Sequence, residues 1–99
     1  MKRILFLLLI ITNLVNAQNV DSLFVNANNL YKAGKFEDAI KEYEIIESKK
    51  LVSLELYYNL GNSYYKLNKV GPAIYYYEKA LKVNPINADA KANLAFAKR

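Results

Sequence analysis

The chain has 99 residues, of which 54% are hydrophobic and 23% charged, and this composition predicts one small globular unit rather than a disordered or fibrous protein. It contains neither cysteine nor histidine, which excludes disulfides, thiol nucleophiles, histidine acid–base catalysis and zinc sites of the cysteine–histidine kind. We therefore predict no enzymatic activity, no metal, no cofactor and no small-molecule substrate, and we look for function on the surface.

The first seventeen residues have the parts of a secretory signal peptide. Lys2 and Arg3 precede an unbroken apolar run from Ile4 to Ile11, and residues 15–17 (Val-Asn-Ala) end on the small residue that signal peptidase favours. The run is shorter than the roughly 20 apolar residues that a membrane-spanning helix needs. We predict cleavage before Gln18 and export to the periplasm or envelope of a Gram-negative bacterium, where membrane proteins are among the candidate partners.

The charge of the exported chain is modest. Without Lys2 and Arg3, 12 basic residues remain against 9 acidic ones, and the net charge falls from +5 to +3. Of the 14 basic residues only Arg3 and Arg99 are arginine, whereas recognition of phosphates and bases depends strongly on the bidentate guanidinium group. We therefore expect no nucleic-acid partner.

A repeat with a period of about 34 residues runs through the rest of the chain. A shift by one period aligns residues 30–32 (Leu-Tyr-Lys) with residues 64–66 (Tyr-Tyr-Lys). Within each copy, apolar residues recur every three or four positions, which is the spacing of an amphipathic helix. Gly34 and Asn68 occupy equivalent positions and suit the left-handed conformation that ends a helix. Each copy is therefore predicted to be two helices joined by a turn.

The segment from residue 54 to residue 87 resembles a tetratricopeptide repeat (TPR). All positions of the family's signature are filled acceptably, by Tyr57, Leu60, Gly61, Tyr64, Ala73, Tyr77, Ala80 and Pro85. The small residues Gly61 and Ala73 predict that the two helices face each other closely at that point. The resemblance implies an all-α solenoid of antiparallel helix-turn-helix units.

The flanking segments are less regular copies. Residues 18–53 form a divergent first repeat, with Asn26 where the family has an apolar residue and Leu51 where it prefers proline. Residues 88–99 resemble a capping helix or the first helix of a third repeat, and Asn87 is placed to cap that helix. We predict about two and a half repeats, a marginal number because repeats are stabilised by their neighbours.

A narrower similarity concerns exported proteins. The signal peptide together with residues 56–62 (Leu-Tyr-Tyr-Asn-Leu-Gly-Asn) and 93–97 (Asn-Leu-Ala-Phe-Ala) is similar to the TPR proteins of Bacteroides-type aerotolerance operons. Those relatives continue into a membrane segment and an SH3-like domain. Either the chain is a truncated member of that group or the similarity ends with the repeats.

A second stripe on the first helix of each copy is the predicted contact surface. By the resemblance, these positions line a concave groove in which TPR proteins hold extended peptides or partner helices. The candidate partner-binding residues are Phe24, Asn28, Tyr31 and Lys32 in the first copy and Tyr58, Asn62, Tyr65 and Lys66 in the second. Asparagine amides can hydrogen-bond a peptide backbone, aromatic rings supply buried area, and lysines attract acidic groups. We expect Asn28 and Asn62 to be exposed, so that replacing them leaves stability nearly unchanged.

Two alternatives remain open. The rings of Tyr58 and Tyr65 could equally pack between helices, and Tyr75 or Tyr76 could mark a contact on the opposite, convex side. The chain is predicted to be a non-catalytic module that binds a protein or peptide in an envelope-associated assembly. The alternative function is a structural unit that self-associates by stacking its repeat ends.

Overall fold

The computed structural model describes residues 19–99, and the predicted signal peptide lies outside the described residues. This part of the chain folds into five helices and contains no strand: α1 (Val20–Lys32), α2 (Phe36–Ser48), α3 (Leu54–Lys66), α4 (Val70–Val83) and α5 (Ala88–Ala97). Each helix packs against the next one in chain order, and α3 also touches α5. The predicted all-α solenoid of helix-turn-helix units is confirmed. None of these five helices is long and apolar enough to cross a membrane.

The helix boundaries follow from local signals in the sequence. Asn19, Ser53 and Asn87 cap α1, α3 and α5, because the side-chain oxygen of each accepts a hydrogen bond from a backbone N–H of the first turn. Gly34 and Asn68 have φ angles of 77° and 62° in the turns that follow α1 and α3. Both residues therefore adopt the left-handed conformation that their sequence positions predict.

The core lies between consecutive helices and uses most of the signature positions. The buried signature residues are Tyr57, Leu60, Gly61, Ala73, Tyr77 and Ala80, whereas Tyr64 is half-buried and Pro85 is exposed. Full burial of a leucine-sized side chain stabilises a fold by about 1.5–3 kcal/mol. The regular spacing of these residues therefore accounts for the stacking of α3 on α4.

Gly61 makes a close approach between helices, and the ring of Tyr77 is what it approaches most closely. A Cβ atom at position 61 would lie 2.6 Å from both Cδ1 and Cε1 of Tyr77. The atoms nearest to this position belong to the Tyr77 ring, one helical turn beyond Ala73. The need for a residue without a side chain at position 61 therefore comes first from the Tyr77 ring, and the prediction that Gly61 faces Ala73 stays a prediction.

A cluster of tyrosines joins α3 to α4. The ring of Tyr76 stacks on Tyr57, at 6.4 Å between centroids, and on Tyr64, at 5.8 Å. Its hydroxyl donates a hydrogen bond to Oε1 of Glu47 on α2 at 2.9 Å. Tyr76 is only 9% exposed, so the suggestion that it marks a surface contact is wrong. Tyr75 is 53% exposed, so a contact on the convex side through Tyr75 stays a prediction.

Candidate functional site

Side chains from α1, α3, α4 and α5 line a cavity of about 350 Å³, which we call the groove. Its lining residues are Tyr31, Tyr58, Asn62, Tyr65, Lys66, Tyr77, Asn93 and Phe96. The structure thus brings together five of the eight residues predicted to contact a partner: Tyr31, Tyr58, Asn62, Tyr65 and Lys66. The other three predicted contact residues do not line this cavity.

Those three residues lie on α1. The ring of Phe24 is half-buried and meets Tyr43 of α2 edge-on, with 6.4 Å between centroids. Asn28 is also half-buried, and Lys32 is exposed at the end of the helix. Phe24 therefore contributes to the packing of α1 on α2.

Asn28 is the centre of a hydrogen-bonded triad that joins three helices. The hydroxyl of Tyr43 on α2 donates to Oδ1 of Asn28 at 2.5 Å. Nδ2 of Asn59 on α3 donates to the same oxygen at 3.3 Å. One asparagine of α1 thus accepts hydrogen bonds from both of the following helices.

The same triad recurs in the next repeat around Asn62. The Tyr77 hydroxyl donates to Oδ1 of Asn62 at 2.6 Å, and Nδ2 of Asn93 donates to that oxygen at 2.9 Å. Nδ2 of Asn93 also donates to the hydroxyl of Tyr58 at 3.1 Å. The second triad connects α3, α4 and α5 and lies in the wall of the groove.

The expectation that Asn28 and Asn62 are exposed is wrong, and with it the prediction that replacing them leaves stability nearly unchanged loses its basis. Both are half-buried, and Oδ1 of each is the acceptor for a tyrosine that is about 1% exposed, Tyr43 or Tyr77. Removal of the acceptor would leave a buried hydroxyl unsatisfied, at a cost of about 1–3 kcal/mol. Both asparagines therefore support the fold, and Asn62 also lines the groove.

The second triad leaves a defined set of polar groups for a ligand. No side-chain hydrogen bond within residues 19–99 uses Nδ2 of Asn62, so both of its N–H groups are available as donors. Asn93 uses both of its N–H groups within the protein, which leaves its Oδ1 as an acceptor. An amide donor beside an amide acceptor matches the C=O and N–H groups of a peptide backbone.

The groove is neutral to positive in charge. Burial raises the pKa of the Tyr77 hydroxyl well above its usual value, and the hydroxyls of Tyr58, Tyr31 and Tyr65 raise it further. This hydroxyl therefore stays protonated and keeps donating to Asn62 at neutral pH. No carboxylate lines the groove, and Lys66 adds a positive charge, so the lining favours acidic groups on a ligand.

Two groove residues on α5 and one on α4 were not predicted as contact residues. Asn93 and Phe96 line the groove from the helix that was predicted to be a cap or the first helix of a third repeat, and Tyr77 lines it although the signature assigns it to the core. Asn93 lies one repeat period after Asn59. Asn59 was not itself a predicted contact residue, so this spacing gave no signal for Asn93, whereas Phe96 lies one repeat period after the predicted Asn62 and could have been identified from it.

Nothing in the described residues points to a metal centre. Within residues 19–99, no group of three or more acidic side chains is arranged so that it could hold a metal ion. The chemistry of the groove is therefore that of hydrogen bonding, aromatic contact and one lysine charge.

Residues 54–87 match the family model of the tetratricopeptide repeat. They comprise α3, the turn that follows it, α4 and the connection to α5. No curated protein matches the chain. The five helices confirm an all-α solenoid of about two and a half helix-turn-helix repeats, of which the one at residues 54–87 matches the TPR family. Repeats of this family generally mediate protein–protein interactions and are generally non-catalytic. The narrower similarity to aerotolerance-operon proteins remains a prediction.

Proposed function

We propose that the chain is a non-catalytic interaction module that holds an extended peptide segment of a partner protein in the groove. The match to the TPR family supports the general role. One observation supports the binding of an extended peptide in particular. Two amide groups that the protein does not use, the N–H groups of Asn62 and the C=O of Asn93, lie beside the exposed rings of Tyr65 and Phe96. These are the groups that an extended peptide backbone and its apolar side chains require.

Each part of the groove has a role in this binding mode. The peptide backbone pairs with Asn62 and Asn93, while its side chains pack against Tyr65 and Phe96, which are 41% and 51% exposed. Lys66 attracts an acidic side chain from the rim. Because Asn62 is already held by two hydrogen bonds, little conformational entropy is lost when a ligand binds to it.

The test is capture of partners from envelope extract by the full chain and by a groove variant, Tyr65→Ala with Lys66→Ala. Both side chains are exposed, so the variant should melt as the wild type does. We expect a captured partner to bind the variant about tenfold more weakly or worse, because aromatic residues often dominate binding energy. Lys41→Ala, which removes an exposed lysine outside the groove, is the matched control and should bind normally. Equal binding by the groove variant would refute the proposal.

The setting that we propose is an envelope-associated assembly outside the cytoplasm. It rests on the signal-peptide pattern of residues 1–17 and on the similarity to exported TPR proteins of aerotolerance operons. Mass spectrometry of the protein recovered from the envelope should then find an N-terminus at Gln18 or within a residue or two. Intact Met1 on the recovered protein would contradict export with cleavage.

Self-association is the second candidate, and one observation favours it. On α5, the side chains of Ala92, Ala95 and Phe96 are exposed, so the last helix presents apolar surface to solvent. Stacking on the end of a second copy would cover that surface. Sedimentation velocity distinguishes the two candidate functions. A self-associating chain should form oligomers that dissociate on dilution, whereas a chain that remains monomeric at high concentration would exclude self-association.

A further inference from the structure

A second cleft, of about 510 Å³, lies between the α2–α3 connection and the C-terminal half of α4, and we call it the α4 cleft. It is lined by Val52, Tyr57, Tyr75, Lys79, Lys82 and Val83 and shares no lining residue with the groove. Val52 is 71% exposed, Tyr75 53% and Val83 41%. The α4 cleft is therefore a largely apolar surface that is open to solvent.

The repeat fold does not require this surface. At the equivalent positions of the first repeat, Lys41 and Lys49 stand where the second repeat has Tyr75 and Val83. Both lysines are exposed, and α2 folds as α4 does. Exposed apolar side chains that packing does not demand, gathered in one cleft, are typical of interaction sites.

The aromatic wall of the α4 cleft is held in place before any ligand binds. Nζ of Lys79 lies 4.8 Å from the ring centre of Tyr57 and 5.1 Å from that of Tyr75. The same nitrogen is 3.4 Å from Oε2 of Glu47, which neutralises much of its charge. Tyr75 also packs edge-on against Tyr76 at 5.0 Å. A ligand would therefore meet a preorganised surface, which favours binding.

The charge that remains for a ligand is that of Lys82. No carboxylate lines the α4 cleft, and Glu47, behind Lys79, already accepts hydrogen bonds from Lys79 and Tyr76. Lys82 is exposed and forms no ion pair within residues 19–99. The α4 cleft thus combines an apolar floor with one available positive charge at its rim, and an acidic group beside an apolar one complements it.

The α4 cleft is open to solvent, which favours a protein segment over a small molecule as its ligand. Small ligands usually bury most of their surface in a pocket. Here Val52 and Tyr75 are more than half exposed, so the walls cover a ligand from one side only. A segment of a folded or extended protein can use such a surface because the rest of the partner supplies further contacts.

We propose that the α4 cleft is a docking site, separate from the groove, for a protein segment that carries a bulky apolar side chain next to an acidic one. The apolar side chain packs among Val52, Tyr75 and Val83, and the carboxylate pairs with Lys82. With both sites in use, the chain holds two segments of one partner or bridges two partners.

The test uses a phage-displayed library of random peptides, selected on the full chain and counter-selected on a variant without the apolar rim. That variant is Tyr75→Lys with Val83→Lys, which installs the lysines that the first repeat carries at the equivalent positions, Lys41 within α2 and Lys49 just after its end. A thermal melt followed by circular dichroism verifies that it folds. Fluorescence anisotropy then measures the binding of each selected peptide to wild type and variants.

We expect the selected peptides to share an apolar residue beside Asp or Glu, and to bind the rim variant about tenfold more weakly or worse. Lys82→Glu should weaken binding to a similar extent, because it places like charges opposite each other. Tyr65→Ala, which alters the groove only, should leave binding unchanged. The last control separates failure of this proposal from failure of the groove proposal.

Three outcomes would overturn the proposal. The first is a selection that yields no peptide able to distinguish wild type from the rim variant. The second is binding of the chain to phosphatidylglycerol vesicles that Lys82→Glu abolishes, which would assign the surface to a membrane. The third is a concentration-dependent dimer that the rim variant abolishes in sedimentation velocity, which would assign the surface to a second copy of the chain.

Discussion

The replacement Gly61→Ala tests the packing of α3 on α4 directly. Its Cβ atom would lie 2.6 Å from Cδ1 and Cε1 and 3.2 Å from Cγ of Tyr77. Carbon atoms attract each other best at about 3.5–4.0 Å, so these contacts are strongly repulsive. Tyr77 is 1% exposed and its hydroxyl is bonded to Asn62 at 2.6 Å. The ring therefore has to break that hydrogen bond or push the helices apart.

Two effects of opposite sign determine how Gly61→Ala changes the free energy of unfolding. Alanine is better than glycine in a helix interior by about 0.8–1.0 kcal/mol. Overpacking of a core costs about 1–3 kcal/mol, and loss of the hydrogen bond to Asn62 adds about 0.5–1.5 kcal/mol. Repulsion therefore wins, and we expect Gly61→Ala to lower the free energy of unfolding by about 0.5–3.7 kcal/mol.

The matched control is Gly71→Ala in the first turn of α4. Among residues 19–99 other than its two chain neighbours, nothing lies within 4 Å of a Cβ atom at position 71, so this variant lacks the clash that Gly61→Ala creates. Two small effects remain and oppose each other, the better helix propensity of alanine and the restriction that Pro72 places on the preceding residue. Urea unfolding followed by circular dichroism should show the control to lie within about 1 kcal/mol of the wild type. If both variants gave the same free energy of unfolding, the close approach of Gly61 to Tyr77 would be refuted.

Three further predictions concern the triads, alkaline pH and a helix cap. Asn62→Ala should lower the free energy of unfolding in urea by about 1–3 kcal/mol, because a buried hydroxyl loses its acceptor, whereas the exposed Asn26→Ala should stay within about 0.5 kcal/mol. Burial above all raises the pKa of Tyr43 from 10.0 to about 12, so its neutral form stabilises the fold below pH 10, and that stability is lost as the pH rises through 12. Between pH 10 and pH 12, the free energy of unfolding should fall less steeply in Tyr43→Phe than in the wild type. Equal pH dependence in the two proteins would show that Tyr43 does not cause the fall. Asn87→Ala should cost about 1 kcal/mol and speed amide hydrogen exchange in α5, and equal exchange rates would show that the cap does not matter.

The helix pairs could be predicted because their determinants are local. Gly34 and Asn68 stand one repeat period apart, and both take the left-handed conformation that their types tolerate. Lys50 has a φ of 61° in the α2–α3 connection, and a lysine gives no sequence signal for this left-handed conformation. Its conformation depends on where α3 has to begin relative to α2, which is set by packing.

The groove could be predicted only in part because it depends on the coverage of one helix by the next. The stripe on α3 correctly brought Tyr58, Asn62 and Tyr65 to one surface. Residue type and helical position do not show how far a neighbouring helix covers a side chain, so Asn62 was expected to be exposed. Its partner Asn93 is 31 residues away in the chain, which is beyond the reach of local patterns.

The triads also have a consequence for folding cooperativity. Apolar contacts between helices tolerate a small slide, but a hydrogen bond to one amide oxygen is lost with a shift of about 1 Å. Each triad therefore fixes the register of three successive helices, and α3 supplies Asn59 to one and Asn62 to the other. Detachment of α5 removes Asn93, releases the Asn62 side chain and loosens its hold on Tyr77. The groove consequently forms and melts together with the docking of α5, as a property of the stacked array rather than of one repeat.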